Sequence, residues 1–243
     1  MATTTKTAVF LVLLSTFLSA SLAFKPDGCN IPSRFWCENK DVALRCGVLD
    51  QCKQFEWTDA ADKVELALYY ESLCPDCQGF ITGTLFPNFA KLSSIMNLTL
   101  VPYGNAYERR DHDKWIFDCQ HGEQECIGNL IETCTIALVG DVNKYFPFIN
   151  CMEASELKPA DAAEKCASKF PVPLENIMNC SKSDYGNELE HKMALKTNAL
   201  QPPHRYVPWV TINGIHTEAI EKEAESDLVK LICDTYKVSI NRV

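Results

Sequence analysis

An apolar strand that runs directly into a Cys-x-x-Cys motif constrains this chain more than any other feature. In residues 64–70 every second side chain is apolar, beginning with Val64, which predicts a strand with one apolar face. The motif Cys74-Pro-Asp-Cys77 follows this strand. From Cys77 onward apolar residues recur at helical spacing, so the motif is expected at the N-terminus of a helix. Cysteines at i and i+3 can interchange there between dithiol and disulfide, and the helix terminus favours a thiolate at Cys74.

The residues of the motif suggest a division of labour between its two thiols. Cys74 would attack a substrate disulfide, and Cys77 would resolve the mixed disulfide. Pro75 has its φ angle preset for a first helical turn, whereas the Asp76 carboxylate is expected to raise thiol pKa values by like-charge repulsion. The rival interpretations are an inert local disulfide and half of a zinc site, which needs a second pair of ligands.

Residues 1–23 are predicted to be a secretory signal peptide. They contain Lys6 and then an apolar run that ends in small residues before Phe24, and the run is shorter than the ~20 residues that span a bilayer. No later segment is apolar enough to predict a transmembrane helix. Asn97 and Asn179 begin Asn-x-Ser/Thr sequons and are candidate glycosylation sites in a secretory compartment.

Cysteine content and charge narrow the class of protein further. All 13 cysteines follow the predicted cleavage site, so disulfides are expected, and the odd count leaves at least one thiol without a partner in this chain. The formal net charge is −9, and it becomes −10 without residues 1–23, which hold one lysine and no acid. A chain this acidic has no electrostatic route to nucleic acid.

Four cysteines within 24 residues define a small N-terminal unit. Two local bridges would replace a core too small to stand alone. The flanking residues, with Trp36 and Trp57, make residues 29–57 resemble the saposin A-type module, and this resemblance implies a sorting or propeptide role. A stapled N-terminal cap is the alternative. We place this segment at residues 24–60, and its structural cysteines are Cys29, Cys37, Cys46 and Cys52.

The order of predicted elements after residue 60 indicates an α/β fold. A second strand is expected at 98–103 and a third at 207–212, and a last helix is expected from Glu218 to Tyr236. Pro87 should kink the helix after the motif near Gly83, because it cannot donate a hydrogen bond to that carbonyl. No convincing strand is expected between the second strand and the third. Helical patches are expected there instead, at 127–138, 142–152, 160–170, 174–180 and 189–200. A thioredoxin-like fold over residues 61–243, with a helical insertion at about 106–200, fits this order best.

Val207 and Pro208 are the candidate substrate-binding residues. In a thioredoxin-like sheet, a cis-proline that opens the third strand faces the dithiol, and the backbone before it can pair with a substrate strand. A trans proline at the start of an edge strand is the alternative. His204 precedes this loop and is a candidate positive charge near the dithiol below pH 6, whereas surface or capping roles are expected for the other histidines. These are His112, His121, His191 and His216.

A second cysteine cluster lies within 16 residues. Cys119, Cys126 and Cys134, together with His121, could be zinc ligands, but the long spacings and the oxidising compartment favour disulfides. The cluster reads Cys-Gln-His-Gly-x-x-Glu-Cys-x-x-Asn-x-x-x-x-Cys.

This signature, the Cys-x-x-Cys motif and the stretches 98–106 (LTLVPYGNA) and 200–214 (LQPPHRYVPWVTING) resemble the gamma-interferon-inducible lysosomal thiol reductases. The resemblance covers residues 64–236. It implies reduction of protein disulfides at the acid pH of endosomes and lysosomes, with Cys74 and Cys77 as the catalytic pair and the signature cysteines as structural residues. The expected partners are disulfide-containing proteins and a small-thiol electron donor, and no cofactor or metal is expected.

Three rival functions stay open at the level of sequence. A disulfide oxidase or isomerase of the secretory pathway would use the same fold in the opposite direction. The saposin-like segment could mark a lipid-associated accessory protein with a vestigial dithiol, and a zinc-binding domain is the weakest rival. The destination is the secretory pathway in each enzymatic case, ending in a lysosome, an endosome or outside the cell.

Overall fold

The computed structural model describes residues 29, 32–37, 40–52 and 63–240. The predicted signal peptide lies outside the described residues. The strands are β1 Val64–Tyr70, β2 Met96–Pro102, β3 Tyr107–Asp111, β4 Lys114–Asp118 and β5 Trp209–Ile212. The helices are α1 Lys40–Arg45, α2 Leu49–Cys52, α3 Pro75–Phe80, α4 Phe86–Leu92, α5 Glu123–Val139, α6 Val142–Glu153, α7 Pro159–Ala167, α8 Leu174–Ser181, α9 Asp184–Asn198 and α10 Glu218–Ile240.

A three-stranded sheet lies at the centre, and β1 is its middle strand. It pairs in parallel with β2 and antiparallel with β5, so that Leu66 stands opposite both Leu98 and Ile212. The apolar face of β1 is buried, as its alternation predicts. Because β1 occupies the middle of the sheet, the Cys-x-x-Cys motif that follows it emerges at the centre of one sheet edge. The predicted thioredoxin-like architecture with a helical insertion is confirmed.

The helix that begins at the motif is interrupted where Pro87 predicts. Its first part is α3, a π-helical segment at Ile81–Leu85 follows, and Pro87 lies in the first turn of α4. Pro87 has no N–H to donate to Gly83, so a regular α-helical ladder cannot continue through this point. The expected kink therefore takes the form of a widened turn.

The insertion is built around α5, and disulfides fasten its helices. Cys134–Cys180 joins α5 to α8, and Cys151–Cys166 joins α6 to α7. All five predicted helical patches are present. No helix within the described ranges is both long enough and apolar enough to cross a membrane.

The prediction that residues 106–200 contain no strand is wrong. Strands β3 and β4 form an antiparallel hairpin whose side chains are mostly exposed and charged, so neither strand has the buried alternating face that identifies a strand in sequence. Helix α9 holds the hairpin instead: Asn187 exchanges two hydrogen bonds with the backbone of Trp115, and the Trp115 ring stacks on His191 at 3.8 Å.

The N-terminal segment contains the two predicted local bridges, Cys29–Cys46 and Cys37–Cys52. It is not a separate body, because its buried residues belong to the same apolar core as the sheet. The Gln51 side chain accepts a hydrogen bond from the His216 backbone N–H at 2.8 Å, and the Ser33 hydroxyl donates to Glu223 on α10 at 3.3 Å. The segment therefore packs against the last helix and the turn that precedes it.

Candidate active site

Cys74 and Cys77 lie at the start of α3, directly beyond the end of β1. Cys74 is the N-cap residue, with φ −74° and ψ 120°, and Pro75 occupies the first helical turn. Both cysteines are free thiols, and Cys74 is 7% exposed whereas Cys77 is fully buried. Cys74 is therefore the more accessible of the two thiols.

The two thiols have opposite ionisation behaviour. The pKa of Cys74 is lowered to about 6, chiefly because the Cys77 thiol donates a hydrogen bond to it. Burial opposes this effect, backbone N–H groups of Cys77 and Asp76 support it, and the Asp76 charge opposes it. The pKa of Cys77 is raised, because its thiol donates to Cys74 and because it is buried. The pair therefore holds one readily ionised sulfur and one that keeps its proton.

Val207 and Pro208 lie against the dithiol. The Cys74 Sγ atom is 4.0 Å from the Val207 carbonyl oxygen. The peptide bond between Val207 and Pro208 is cis, as expected, and Gln201–Pro202 is a second cis bond that the sequence did not lead us to expect. The start of β5 is therefore adjacent to the sulfur that is most easily ionised.

Helix α5 of the insertion fixes the turn between β1 and the dithiol. The Ser72 backbone N–H donates to Asn129 Oδ1 at 3.0 Å, and the Ser72 hydroxyl donates to the Glu125 carbonyl at 3.1 Å. From the other side, Gln78 Nε2 donates to the Ser72 carbonyl at 3.0 Å. Sequence reasoning missed Asn129, although its place in the long cysteine signature was a usable signal.

A second group missed from sequence joins the end of β1 to the start of α5. Glu71 and Glu125 are fully buried, and both face the imidazole of His121, whose side chain is 33% exposed. His121 Nδ1 is 2.5 Å from Glu125 Oε2 and 3.4 Å from Glu71 Oε2. Potential ligand atoms of the three residues all lie within 4.8 Å of one another, so the group could hold a proton or a cation. His121 lies at the surface, as expected, and its imidazole also faces two buried carboxyl groups, which the sequence did not indicate.

A further pair of buried carboxyl groups lies deeper, on α5 and α6. The Tyr70 hydroxyl donates to Glu132 at 2.5 Å. Burial raises the pKa of Glu132 to about 7, and burial together with the Glu132 charge raises that of Glu153. At neutral pH this pair therefore holds at least one proton, because two buried carboxylates so close together cannot both ionise cheaply.

The other histidines occupy varied environments. His112 is exposed, as expected, whereas His216 is buried, stacks on Trp209 at 3.3 Å and hydrogen-bonds the Val210 carbonyl, so a surface role is wrong for it. Burial lowers the pKa of His204, and a hydrogen bond to the Gly104 backbone only partly offsets this. His204 is thus a weaker source of positive charge in mild acid than an ordinary histidine.

The signature cysteines are all oxidised. Cys119 bonds to Cys126, and Cys134 bonds to Cys180, so none of them supplies a thiolate for zinc. Of the seven cysteines outside the motif and the N-terminal segment, only Cys233 is free in the described chain. The candidate glycosylation residues Asn97 and Asn179 are both exposed.

Solved structures that resemble this one share its fold. BdbD from Bacillus subtilis, in its oxidised form, aligns over 73% of this chain and 88% of its own, with a TM-score of 0.51 and 13% identity. A protein assigned as a disulfide isomerase from Nitrosomonas europaea aligns over 74% and 99%, with a TM-score of 0.50 and 10% identity. At these identities the likeness concerns the fold alone.

Sequence relatives identify the class of protein more closely than the fold does. The family model described as gamma interferon inducible lysosomal thiol reductase matches residues 65–170, and the saposin A-type domain model matches residues 26–58. A gamma-interferon-inducible lysosomal thiol reductase from Carassius auratus is 48% identical, covering 90% of this chain and 86% of the relative. One from Mus musculus is 41% identical, covering 72% and 68%.

Fold, free thiol pair and relatives together define a thiol-disulfide oxidoreductase with a thioredoxin-like fold. More particularly, the chain belongs to the gamma interferon inducible lysosomal thiol reductase family.

Proposed function

We propose that this oxidoreductase reduces disulfide bonds in protein substrates, with Cys74 as the attacking thiolate and Cys77 as the resolving thiol. The observation that supports this assignment is the asymmetry of the pair. Cys74 lies at a helix N-terminus with its pKa lowered to about 6, whereas Cys77 is buried and its pKa is raised. An attacking sulfur must be ionised, and a resolving sulfur must stay protonated until the mixed disulfide has formed.

The proposed reaction has two exchange steps. In the first, the Cys74 thiolate attacks one sulfur of the substrate disulfide, and the other substrate sulfur leaves and takes up a proton. In the second, Cys77 loses its proton and attacks Cys74, which releases the second substrate thiol and leaves a Cys74–Cys77 disulfide. The dithiol thus gives up two electrons and two protons. A small thiol is the proposed donor that restores it.

Val207 and Pro208 are proposed to contact the substrate. The Val207 carbonyl is 4.0 Å from the Cys74 sulfur, so a substrate strand that pairs with the backbone here would bring its disulfide close to the attacking atom. Backbone pairing is independent of side-chain identity, which suits an enzyme that must accept many protein disulfides.

The proposed working compartment is acidic. With a pKa of about 6, roughly a tenth of Cys74 is ionised at pH 5, against ~0.03% of an ordinary thiol of pKa ~8.5. The names of the relatives include the word lysosomal. We therefore propose delivery through the secretory pathway to endosomes or lysosomes, with residues 1–23 as the signal peptide and with Asn97 and Asn179 as glycosylation sites. Residues 24–60 are proposed to be a sorting segment or propeptide.

Single cysteine substitutions test the mechanism. We expect Cys74→Ser to abolish reduction of a denatured disulfide-bonded protein at pH 4–5. Cys77→Ser should retain the attack but accumulate a mixed disulfide, visible as a higher-mass species on a non-reducing gel that disappears with excess thiol. Wild-type turnover by Cys74→Ser would refute the assignment, and Cys233→Ser should behave like wild type in both assays.

The lowered pKa of Cys74 also favours one rival function. Stabilising a thiolate stabilises the reduced pair, which makes the corresponding disulfide a better oxidant. A secretory-pathway oxidase or isomerase is therefore the second candidate. Equilibration of the Cys74–Cys77 pair with glutathione mixtures separates the two: a potential well above that of glutathione favours the oxidase, and one near or below it favours the reductase.

A further inference from the structure

Three titratable side chains near Cys74 have no part in the exchange steps above. Glu71 contacts the dithiol through its backbone, because its carbonyl accepts the Cys74 N–H at 3.3 Å. Its side chain turns the other way: Oε1 accepts the Asn105 backbone N–H at 2.6 Å, and Oε2 points to His121. His121 in turn is bound twice by Glu125, which accepts its backbone N–H at 3.0 Å and its ring N–H at 2.5 Å.

The geometry makes Glu71 an unusual carboxyl group. It is fully buried, and its Oε2 atom has no hydrogen-bond partner within the described ranges, although the His121 ring nitrogen is 3.4 Å away. Gly104 packs so closely on the Glu71 side chain that any Cβ at this position would collide with it. Two buried carboxyl groups therefore share a single imidazole, with no room for the first to swing out to water.

We propose that Glu71, His121 and Glu125 act as positioning residues that change the charge beside Cys74 with pH, and so favour its thiolate in acid. This inference rests on the proposed role of Cys74 as the attacking thiol. In acid Glu71 is protonated and the His121 imidazolium is bound to Glu125, so the trio carries less negative charge than it does at higher pH. Above neutral pH, Glu71 ionises and the imidazolium loses its proton, so negative charge builds up next to the sulfur.

The ionisation tendencies agree with this geometry. Burial raises the pKa of Glu71 to about 7, although the Asn105 hydrogen bond opposes the rise. Burial lowers the pKa of His121, but its bond to Glu125 and the charges of Glu125 and Glu71 outweigh this and raise it. The charge on Cys74 acts on both residues, and by reciprocity both act on Cys74.

Other titratable groups face the same thiol. Asp76 is exposed and lies in the first turn of the helix that Cys74 caps, and the Cys77 thiol donates a hydrogen bond to Cys74. From α6, Glu153 interacts with the charges of both cysteines. His204 lies beyond Gly104, and burial lowers its pKa. Of these groups only the trio combines a buried carboxyl, a partly exposed imidazole and a position on the turn that leads to Cys74, which gives it a route for exchanging protons with water.

The test is the alkylation rate of Cys74 by iodoacetamide between pH 4 and 9, in reduced enzyme with Cys233→Ser as background. Wild-type Cys74 should show two inflections, its own and a second near the ionisation of Glu71. Glu71→Gln keeps the acceptor for Asn105 and should remove the second inflection. His121→Gln should lower the rate at pH 5 by about twofold to fivefold, and His121→Lys should restore it.

Matched variants control for loss of a buried acid or of a paired histidine. Glu190→Gln removes a buried carboxyl that binds Thr133, and His191→Gln breaks a comparable pair with Glu108; neither should alter the profile. A single wild-type inflection, or Glu71→Gln and His121→Gln profiles that superimpose on wild type, would overturn the proposal. So would one equivalent of zinc that wild type retains and Glu71→Gln loses. Failure of the proposed reductase function would be seen separately, as equal turnover by wild type and Cys74→Ser.

Discussion

At the scale of single residues, the ionisation of Cys74 depends on a balance between donated hydrogen bonds and two opposing effects. The Cys77 thiol contributes most, backbone N–H groups add to it, and burial and the Asp76 charge oppose it. Asp76 has two opposite effects on the pKa of Cys74, because its backbone N–H stabilises the thiolate while its carboxylate repels it. Its side chain is exposed, so solvent screens the repulsion, and the hydrogen-bond donors determine the direction in which the pKa of Cys74 shifts.

Asp76→Asn separates these two contributions, since it keeps the backbone N–H and removes the charge. We expect the alkylation rate of Cys74 at pH 5 to rise by about twofold, a small effect because the carboxylate is screened. Asp161→Asn is the matched control: Asp161 also lies in the first turn of a helix that begins with proline, α7, and its substitution should leave the rate unchanged. A lower rate in Asp76→Asn would mean that the carboxylate assists Cys74 by another route.

Sequence could predict part of this site but not its surroundings. The roles of Cys74 and Cys77 follow from local order, since helix position and spacing are short-range properties. The neighbours of Cys74 do not: Glu125 and His121 lie about 50 residues away in sequence, and only the packing of α5 against the end of β1 brings them to Glu71. In sequence, a histidine four residues before a glutamate is typical of an exposed ion pair. Nothing nearby in the chain indicates that Glu71 is the third member of this group.

At the scale of elements, α5 is both the centre of the insertion and the support of the dithiol turn. Gly128 shows how close this contact is, because a Cβ there would collide with the Ser72 hydroxyl and approach Pro159 to 3.2 Å. Asn129 next to it binds the Ser72 backbone. The cysteine signature therefore encodes an interface between helix and turn as well as disulfides.

Gly128→Ala should consequently destabilise the enzyme by about 1–3 kcal/mol, because the added methyl group must displace the Ser72 turn. It should also slow reduction more than its stability loss explains, since the turn leads directly to Cys74. Gly79→Ala is the control, because its Cβ would meet open space on the exposed face of α3 and should be neutral or slightly stabilising. Urea titration and turnover measure the two effects, and equal stability of the two variants would contradict the close packing.

At the scale of the whole molecule, several glutamates of the described ranges are buried. Burial raises the pKa values of Glu71 and Glu132 to about 7 and of Glu190 to about 8, and that of Glu153 is also raised. An acid of this kind keeps its proton in the folded state after the unfolded chain has lost it. Stability is therefore greatest below the unfolded pKa of about 4.5 and is lost as the pH rises through the folded value.

This protein should accordingly be more stable in acid than at neutral pH. We expect the Tm to be higher at pH 5 than at pH 8 by at least about 5 °C, because several groups act in the same direction. His204 and the reduced Cys74 thiol oppose them, since a lowered pKa makes each of these groups add stability as the pH rises, but the buried acids are more numerous. Glu190→Gln should flatten the dependence without touching the dithiol. A Tm that is constant or rises from pH 5 to pH 8 would contradict this prediction, because it would show that the buried acids ionise without a net cost in stability.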